Sequence, residues 1–467
     1  ECIAGADSPE TAVLTDRVYI NESFFNELNN YSFSAQSDYA NEFFLYFYLR
    51  YFEYLELIKG YDSVRSDFLP WKVDWYLFEL ARKRAQSHCI SVTGLALIAF
   101  HVLLLPILVF FIFAMVFLLY FYSLVHCRNC LGRKDFTTKT NLYLTRTHSA
   151  YDKMRGFYDP SDYLSVMVTD DVFGFGAGYT SIYSPLRWLI SPKILFQSLL
   201  VTSKDIYLVS RDIWSMLGGG GIFILLGMYS IRLAQKAIYQ SCLETILAQC
   251  QKDAVVYSGN KEDRFSVLEA KICSKQGVRS VCIPHGLEYG FLFPKGLFGD
   301  IFYCNSKNSA QFLNKLYKSN KFEFSRDIVE TMFNVKGESF KVEQRICYFT
   351  EPRDAEVNFI ILDRLSEIGV DFYVKFHPLE DQGRYFTRYP KLKVIDDLGS
   401  ALCSSICLAR KSTVLLEASY RGSRSIAIVV NEKDRAFLEG VFPALNDNSI
   451  EKIYMLEDLV FLLNVEL

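Results

Sequence analysis

Hydrophobic and polar positions divide this chain into one unbroken apolar run, mixed aromatic stretches around it, and a regular alternation of short segments toward the carboxyl end. Between Arg84 and Arg128 there is no charged residue, and Cys89 to Val125 is almost wholly apolar. One membrane-spanning helix needs about 20 such residues, so the run is long for one span and short for two. Pro106 sits near its middle, where it would kink a helix or seat a hairpin bend. Arg82, Lys83 and Arg84 precede the run, and Arg128, Arg133 and Lys134 follow it. Basic flanks favour the cytoplasmic side, so a re-entrant hairpin with both flanks cytoplasmic is expected, a tilted single span being the alternative. A second uncharged stretch, Ile213 to Ile231, contains four glycines from Gly218 to Gly221. Each glycine costs a helix about 1 kcal/mol relative to alanine, which predicts a flexible loop feeding an interfacial helix rather than a span. No Lys-Ser/Thr follows the glycines at P-loop spacing.

Before the apolar run, Arg17-Val18-Tyr19-Ile20 reads as a strand, while Asp38 to Lys59 and Trp71 to Lys83 read as helices. Residues 135 to 240 are rich in Tyr, Phe and Ser, with apolar faces suited to a membrane surface. From Cys242 onward the pattern becomes regular. A helix near 242 to 252 is followed by strand Ala254 to Tyr257, helix Arg264 to Lys275 and strand Ser280 to Ile283. After a linker over about 318 to 343 come strand Arg345 to Phe349, helix Ala355 to Ile368 and strand Phe372 to Phe376. Strands at Lys393 to Ile395, Ile406 to Ala409 and Ser425 to Val430 complete the series, with a helix at Ser412 to Arg421. Alternation of this kind marks a parallel sheet with helices on its faces. The expected class is α/β, two Rossmann-like domains with an internal membrane-anchoring helical segment. The expected divisions are 1–88, an anchor at 89–126, 127–335 and 336–467.

A chain of 467 residues is too long for one core. With 50 Lys and Arg against 53 Asp and Glu, the net charge of -3 gives no global attraction to nucleic acid, which is not expected as a partner. The 12 cysteines are scattered. Cys127-x-x-Cys130 has no second ligand pair at zinc spacing and reads as a juxtamembrane thiol pair. Free thiols in this number fit a reducing compartment.

Three constellations could carry chemistry. Val374-Lys375-Phe376-His377-Pro378-Leu379 places an ammonium and an imidazole at a strand's carboxyl end, where open α/β sheets bind ligands. About 35 residues later Ser412-Thr413 opens a helical stretch able to receive phosphate at its free amides, and Glu417 sits one turn in. The second constellation, Ser258 to Arg264, follows a strand and offers Glu262 or Asp263 as a general base; the alternative is a helix cap. The third, Pro284-His285-Gly286-Leu287-Glu288-Tyr289-Gly290, puts His285 at a strand end beside a close turn. Asp300 and Asn305 to Lys307, around the next strand-like run, offer weaker donor contacts.

With these motifs, residues 250 to 440 resemble the GT-B glycosyltransferases of bacterial surface and capsular polysaccharides. The motif style is nearest to CMP-sugar-dependent sialyl-, polysialyl- and Kdo transferases. Their His-Pro and Ser-Ser/Thr motifs bind the CMP moiety, which implies nucleotide binding by Lys375, His377, Pro378, Ser412, Thr413 and Glu417. Their acidic base motif ends in glycine, whereas Arg264 follows Glu262-Asp263 here. The His-Gly plus Lys-x-His-Pro pattern is also similar to teichoic-acid polymerases that use CDP-glycerol, in which the His-Gly histidine, His285 here, is the implied base. The non-hydrolysing UDP-GlcNAc 2-epimerases share the fold, but their Ser-Gly-Gly phosphate loop is absent from Arg410-Lys411-Ser412-Thr413.

The resemblance implies a glycosyltransferase; the absence of an Asp-x-Asp motif in a βα loop points to metal independence, and the apolar run with its basic flanks adds membrane attachment with cytoplasmic catalytic domains. Residues 1–88 and 127–335 would form its acceptor side and 336–467 its donor side. The expected partners are a nucleotide sugar, a glycan or lipid-linked acceptor and the membrane; the donor is a substrate and no cofactor is expected. A CDP-glycerol glycerophosphotransferase-like polymerase and a non-catalytic membrane scaffold are the alternatives.

Overall fold

The computed structural model describes residues 36–45, 92–127, 136–146, 148–169, 184–185, 189–217, 222–284, 286–351, 355–378, 380–430, 434–435 and 437–464. The expected strand at Arg17 to Ile20, the helix at Trp71 to Lys83, the glycines 218–221, Cys130, His285 and Leu379 lie outside them. Of the aromatic region from Asp38 to Lys59, only a helical turn, Ala40–Phe43 (α1), is in view as an α-helix.

Two compact units divide the chain, one comprising Asn30–His285 with Leu292–Phe302, the other Gly286–Phe291 with Tyr303–Leu467. The first sheet uses Asn141–Thr145 (β1), Ser165–Thr169 (β2), Ser184–Pro185 (β3), Val255–Ser258 (β4), Arg279–Cys282 (β5), Ile301–Tyr303 (β6) and Phe322–Glu323 (β7). Their order is β3-β2-β1-β4-β5-β6-β7. Pairings from β3 through β6 are all parallel, with Leu142 opposite Val166 on one side and Val256 on the other. Leu142, Val166, Met167, Val168 and Val256 are buried, as expected of strands covered on both faces.

After α1, the long helices of this unit begin with Val92–Cys127 (α2), one continuous helix with Pro106 inside it. The hairpin bend expected at Pro106 does not form. Proline has no N–H for the carbonyl four residues back, but one missing bond does not outweigh the ladder of a long apolar helix. Its Ile112, Val116, Leu119, Tyr120 and Ser123 are buried, while Leu103, Ile107, Phe110, Leu118 and Phe121 face outward. The span Val102–Val125 is long and apolar enough to cross a membrane. Beside it pack Pro192–Leu217 (α3) and Ile222–Leu247 (α4), which flank the glycine run as regular helices. Inside, the Lys236 ammonium is buried between Asp38 at 2.7 Å and Asp205 at 2.8 Å. Arg264–Gln276 (α5) is capped at both ends. Asp263 accepts from the amides of Phe265 and Ser266, and Gly277 closes the helix at φ 67°.

In the second unit Glu343–Phe349 (β8), Phe372–Lys375 (β9), Lys393–Val394 (β10), Ser404–Ala409 (β11), Arg424–Ile428 (β12) and Ile450–Ile453 (β13) form a sheet in the order β10-β9-β8-β11-β12-β13. Every pairing is parallel. Lys307–Tyr317 (α6), Ala355–Ile368 (α7) and Val414–Tyr420 (α8) belong to this unit. Ile346, Tyr348, Val374, Ile406, Leu408, Ile426 and Ile428 of the sheet pack with Phe359, Leu362 and Leu365 of α7 in one core. Both sheets have the doubly wound order in which the first strand lies inside and the chain then builds outward on each side. The α/β class with two Rossmann-like domains is therefore present.

Candidate functional site

In a doubly wound parallel sheet the ligand crevice lies beyond the carboxyl ends of the two strands where the order reverses. Those strands are β8 and β11 in the second unit, β1 and β4 in the first.

At the carboxyl edge of the second sheet, the residues after β8, β9 and β11 are tied together through their backbones. The Thr350 amide donates to the Lys375 carbonyl at 3.1 Å, and the His377 amide donates to Thr350 Oγ1 at 3.0 Å. Across the switch point, the Lys411 amide donates to Glu351 Oε1 at 2.7 Å. His377 and the Ser412-Thr413 turn thus share one edge, two strands apart, with Thr350-Glu351 between them. Underneath, Arg410 is wholly buried and donates from Nε and Nη2 to Asp434 at 2.9 and 2.6 Å. The Lys411 ammonium lies 3.1 Å from Asp434 and 3.6 Å from Glu351. Burial alone would raise the Asp434 carboxyl, but Arg410 and Lys411 hold it below the usual range. Two cations facing two carboxylates make a charge-balanced base that fixes the turn.

Above that base, α8 begins only at Val414, so Ser412 and Thr413 precede the helix. Their carbonyls accept from Leu415, Leu416 and Glu417, and neither hydroxyl is consumed as a strong cap. Both residues are half-buried, as is Glu417 one turn on, while Pro378 is exposed. Lys375 donates from its ammonium to the Phe376 carbonyl at 3.2 Å. The His377 imidazole is shifted below its ordinary value, chiefly by burial, with Glu380 and Glu351 opposing and Lys375 assisting. His377 is accordingly neutral at pH 7 and can donate a hydrogen bond to a phosphate oxygen without first carrying charge.

At the carboxyl edge of the first sheet, the loop from Ser258 to Arg264 separates its two acids. Asp263 is the cap of α5, bonded to the amides of Phe265 at 3.0 Å and Ser266 at 2.8 Å, with Arg146 at 3.8 Å. Glu262 is 17% exposed and its Oε2 accepts no hydrogen bond; the Lys261 ammonium is 3.5 Å away. Burial raises its carboxyl to about 7, against a partial lowering by Lys261. Glu269, missed by sequence reasoning, holds the loop from below. It accepts from Tyr239 Oη at 2.5 Å, Ser258 Oγ at 2.6 Å and Asn260 Nδ2 at 2.9 Å, and burial raises it also to about 7. Glu42 of α1 takes the Arg264 guanidinium at 2.7 Å.

After His285 the chain turns through Gly286 to Gly290 in the second unit. Glu288, not singled out by its sequence context, is buried and accepts from the Asn305 amide at 2.5 Å and from Ser309 Oγ at 3.2 Å. A Cβ on Gly290 would stand 2.0 Å from the Gly440 carbonyl oxygen, so only glycine fits. Among the described residues no group of three His, Cys, Asp or Glu side chains is placed to hold a metal.

No protein-family model and no curated protein matches the chain. Among solved structures it is similar to a protein described as a UDP-N-acetylglucosamine 2-epimerase from Listeria monocytogenes, at 12% identity and a TM-score of 0.40, covering 70% of this chain and 87% of that one. It is also similar to the wall teichoic acid polymerase TagF, at 10% identity and a TM-score of 0.36, covering 74% of this chain and 88% of that one. Likenesses of this size say nothing of activity, and the fold assignment rests on the strand orders.

Proposed function

We propose that this chain is a membrane-associated GT-B glycosyltransferase that moves a sugar from a nucleotide donor, a CMP-sugar, to a glycan or glycolipid acceptor at the cytoplasmic face. The observation that carries the reading is the shared edge: Lys-x-His-Pro follows β9 and Ser-Thr follows β11 at the carboxyl side of one Rossmann-like sheet, each tied to Thr350-Glu351 after β8 between them. Lys375, His377, Ser412 and Thr413 supply donors to the departing nucleotide phosphate, an electrostatic role that needs no metal. Arg410 and Lys411 are already matched by Asp434 and Glu351, so their part is to position the turn.

In the reaction the acceptor hydroxyl oxygen attacks the anomeric carbon, the bond from that carbon to the phosphate oxygen breaks, and the hydroxyl proton passes to a base. Glu262 suits that role because a carboxylate with a pKa of about 7 is both available and basic enough at neutral pH. His285 is the other candidate. The test is CMP release from CMP-sugars by the detergent-solubilised chain with glycolipid acceptors. Acceptor-dependent release, lost in Glu262→Gln or His377→Ala and insensitive to EDTA, is the expected result. Release of CMP only from CDP-glycerol would transfer the reading to a glycerophosphotransferase, and no release from any donor would sink the enzyme reading.

A further inference from the structure

The outer face of α3 carries exposed large apolar side chains that the span-length apolar helix does not account for. Phe196, Leu200, Tyr207 and Trp214 are 64%, 57%, 64% and 63% exposed. At 3.6 residues per turn these positions fall within about 40° of one another, so they form a single stripe along the helix. Lys193, Lys204 and Arg211 all lie on one flank of it, about 60 to 80° round from Phe196. The acids of the same helix are on the opposite side. Asp205 is buried against the Lys236 ammonium at 2.8 Å, and Asp212 is buried and accepts from the Gln36 and Ser37 amides at 3.0 and 2.7 Å. Arg211 also stands 5.9 Å from the centre of the Tyr207 ring.

This sorting decides what covers the stripe. An apolar protein partner would need no row of cations beside it, and five charged residues within Pro192–Leu217 exclude a span. A helix with aromatic and aliphatic groups on one line and lysine and arginine at its border suits the plane between head groups and acyl chains. Continuity points the same way, because α3 packs beside α2, whose outer face is apolar along Val102–Val125. We propose that α3 lies in the head-group plane of an anionic bilayer, with Phe196, Leu200, Tyr207 and Trp214 in the acyl boundary and Lys193, Lys204 and Arg211 on lipid phosphates. The proposal rests on the membrane association stated above and adds a lipid class and an orientation to it.

Trp214 is its own probe. The full-length chain is reconstituted with phosphatidylcholine vesicles, with and without phosphatidylglycerol, carrying bromine near the head-group end or near the methyl end of the acyl chains. The difference between the native chain and Trp214→Phe isolates the Trp214 signal. Stronger quenching by shallow than by deep bromines, increased by phosphatidylglycerol and lost in the Lys193→Glu, Lys204→Glu, Arg211→Glu chain, is the expected result. Deep bromines quenching more strongly would overturn the in-plane placement. Trp214 open to aqueous acrylamide and unquenched by either lipid, in a chain that still floats with vesicles, would overturn the α3 surface and leave membrane association standing. Failure to float at all would remove both.

Discussion

Glu262 and Asp263 are adjacent carboxylates in opposite surroundings, and backbone geometry separates them. Asp263 caps the first turn of α5 through Oδ1, whereas Glu262 is set into a site where its charge is poorly solvated. Asp263→Ala should therefore cost stability by about 1 kcal/mol, as loss of a helix cap does, while kcat of the folded protein is largely kept; denaturant unfolding beside turnover checks this. Glu262→Gln should remove most turnover. In the native chain the rate should rise with pH through about 7, because the base must be ionised to accept the proton. Stability has the reverse dependence. The folded value of about 7 lies above the ordinary glutamate value of about 4.3, so the stabilisation due to its proton is full below about 4.3 and is lost as pH rises through about 7. Thermal unfolding of Glu262→Gln should show a flatter decline across that window. His377 gives a third dependence: its free-state value is depressed by burial, and a bound phosphate would raise it, so nucleotide should bind more tightly as pH falls into the acid range. A nucleotide affinity that is flat between pH 5 and 8 would remove His377 from the phosphate site. The candidate residues were legible from their types and spacing, but the division of labour between neighbouring acids depended on burial that spacing does not encode.

Among the elements, β8 to β12 of the second sheet were plain in the sequence because short β-branched runs alternate with helical periods there, whereas β13 was not read. Leu142, Leu144, Val166 and Val168 also line strands, yet β1 and β2 are five residues each and sit among tyrosines and serines that obscure the period. α2 shows a different limit: Pro106 signals a break, but whether a long helix absorbs it is settled by the ladder on either side. The buried Arg410–Asp434 pair was not foreseeable, since its members are 24 residues apart and join β11 to the segment after β12. Asp434→Asn leaves the Arg410 guanidinium buried and half-compensated, which should destabilise the second unit by about 3 to 5 kcal/mol. If its unfolding midpoint is unchanged, the network does not hold the Ser412-Thr413 turn. Gly290→Ala should be disruptive for a steric reason, and a soluble, normally stable variant would contradict the close approach of the Gly440 carbonyl.

At the scale of the whole molecule, a net charge of -3 conceals a sorted distribution, with α3 acids inward and its bases outward. That arrangement and the apolar faces of α2 and α3 would suit the proposed transferase to a bilayer surface, where a lipid-linked acceptor would be concentrated. The second sheet and the β4–β5 part of the first were readable from alternation, whereas β1 to β3 were not, and the proposed donor site is a few hydroxyls and amides at one sheet edge. Binding of CMP, CDP and UDP to the detergent-solubilised chain, with His377→Ala and Ser412→Ala alongside, tests this most directly. Saturable CMP binding that weakens at least tenfold in both folded variants is the predicted result, about 1.4 kcal/mol or more for each substitution. No nucleotide binding by the native chain, or binding indifferent to both substitutions, would contradict the placement of the donor phosphate at the β8 and β11 edge.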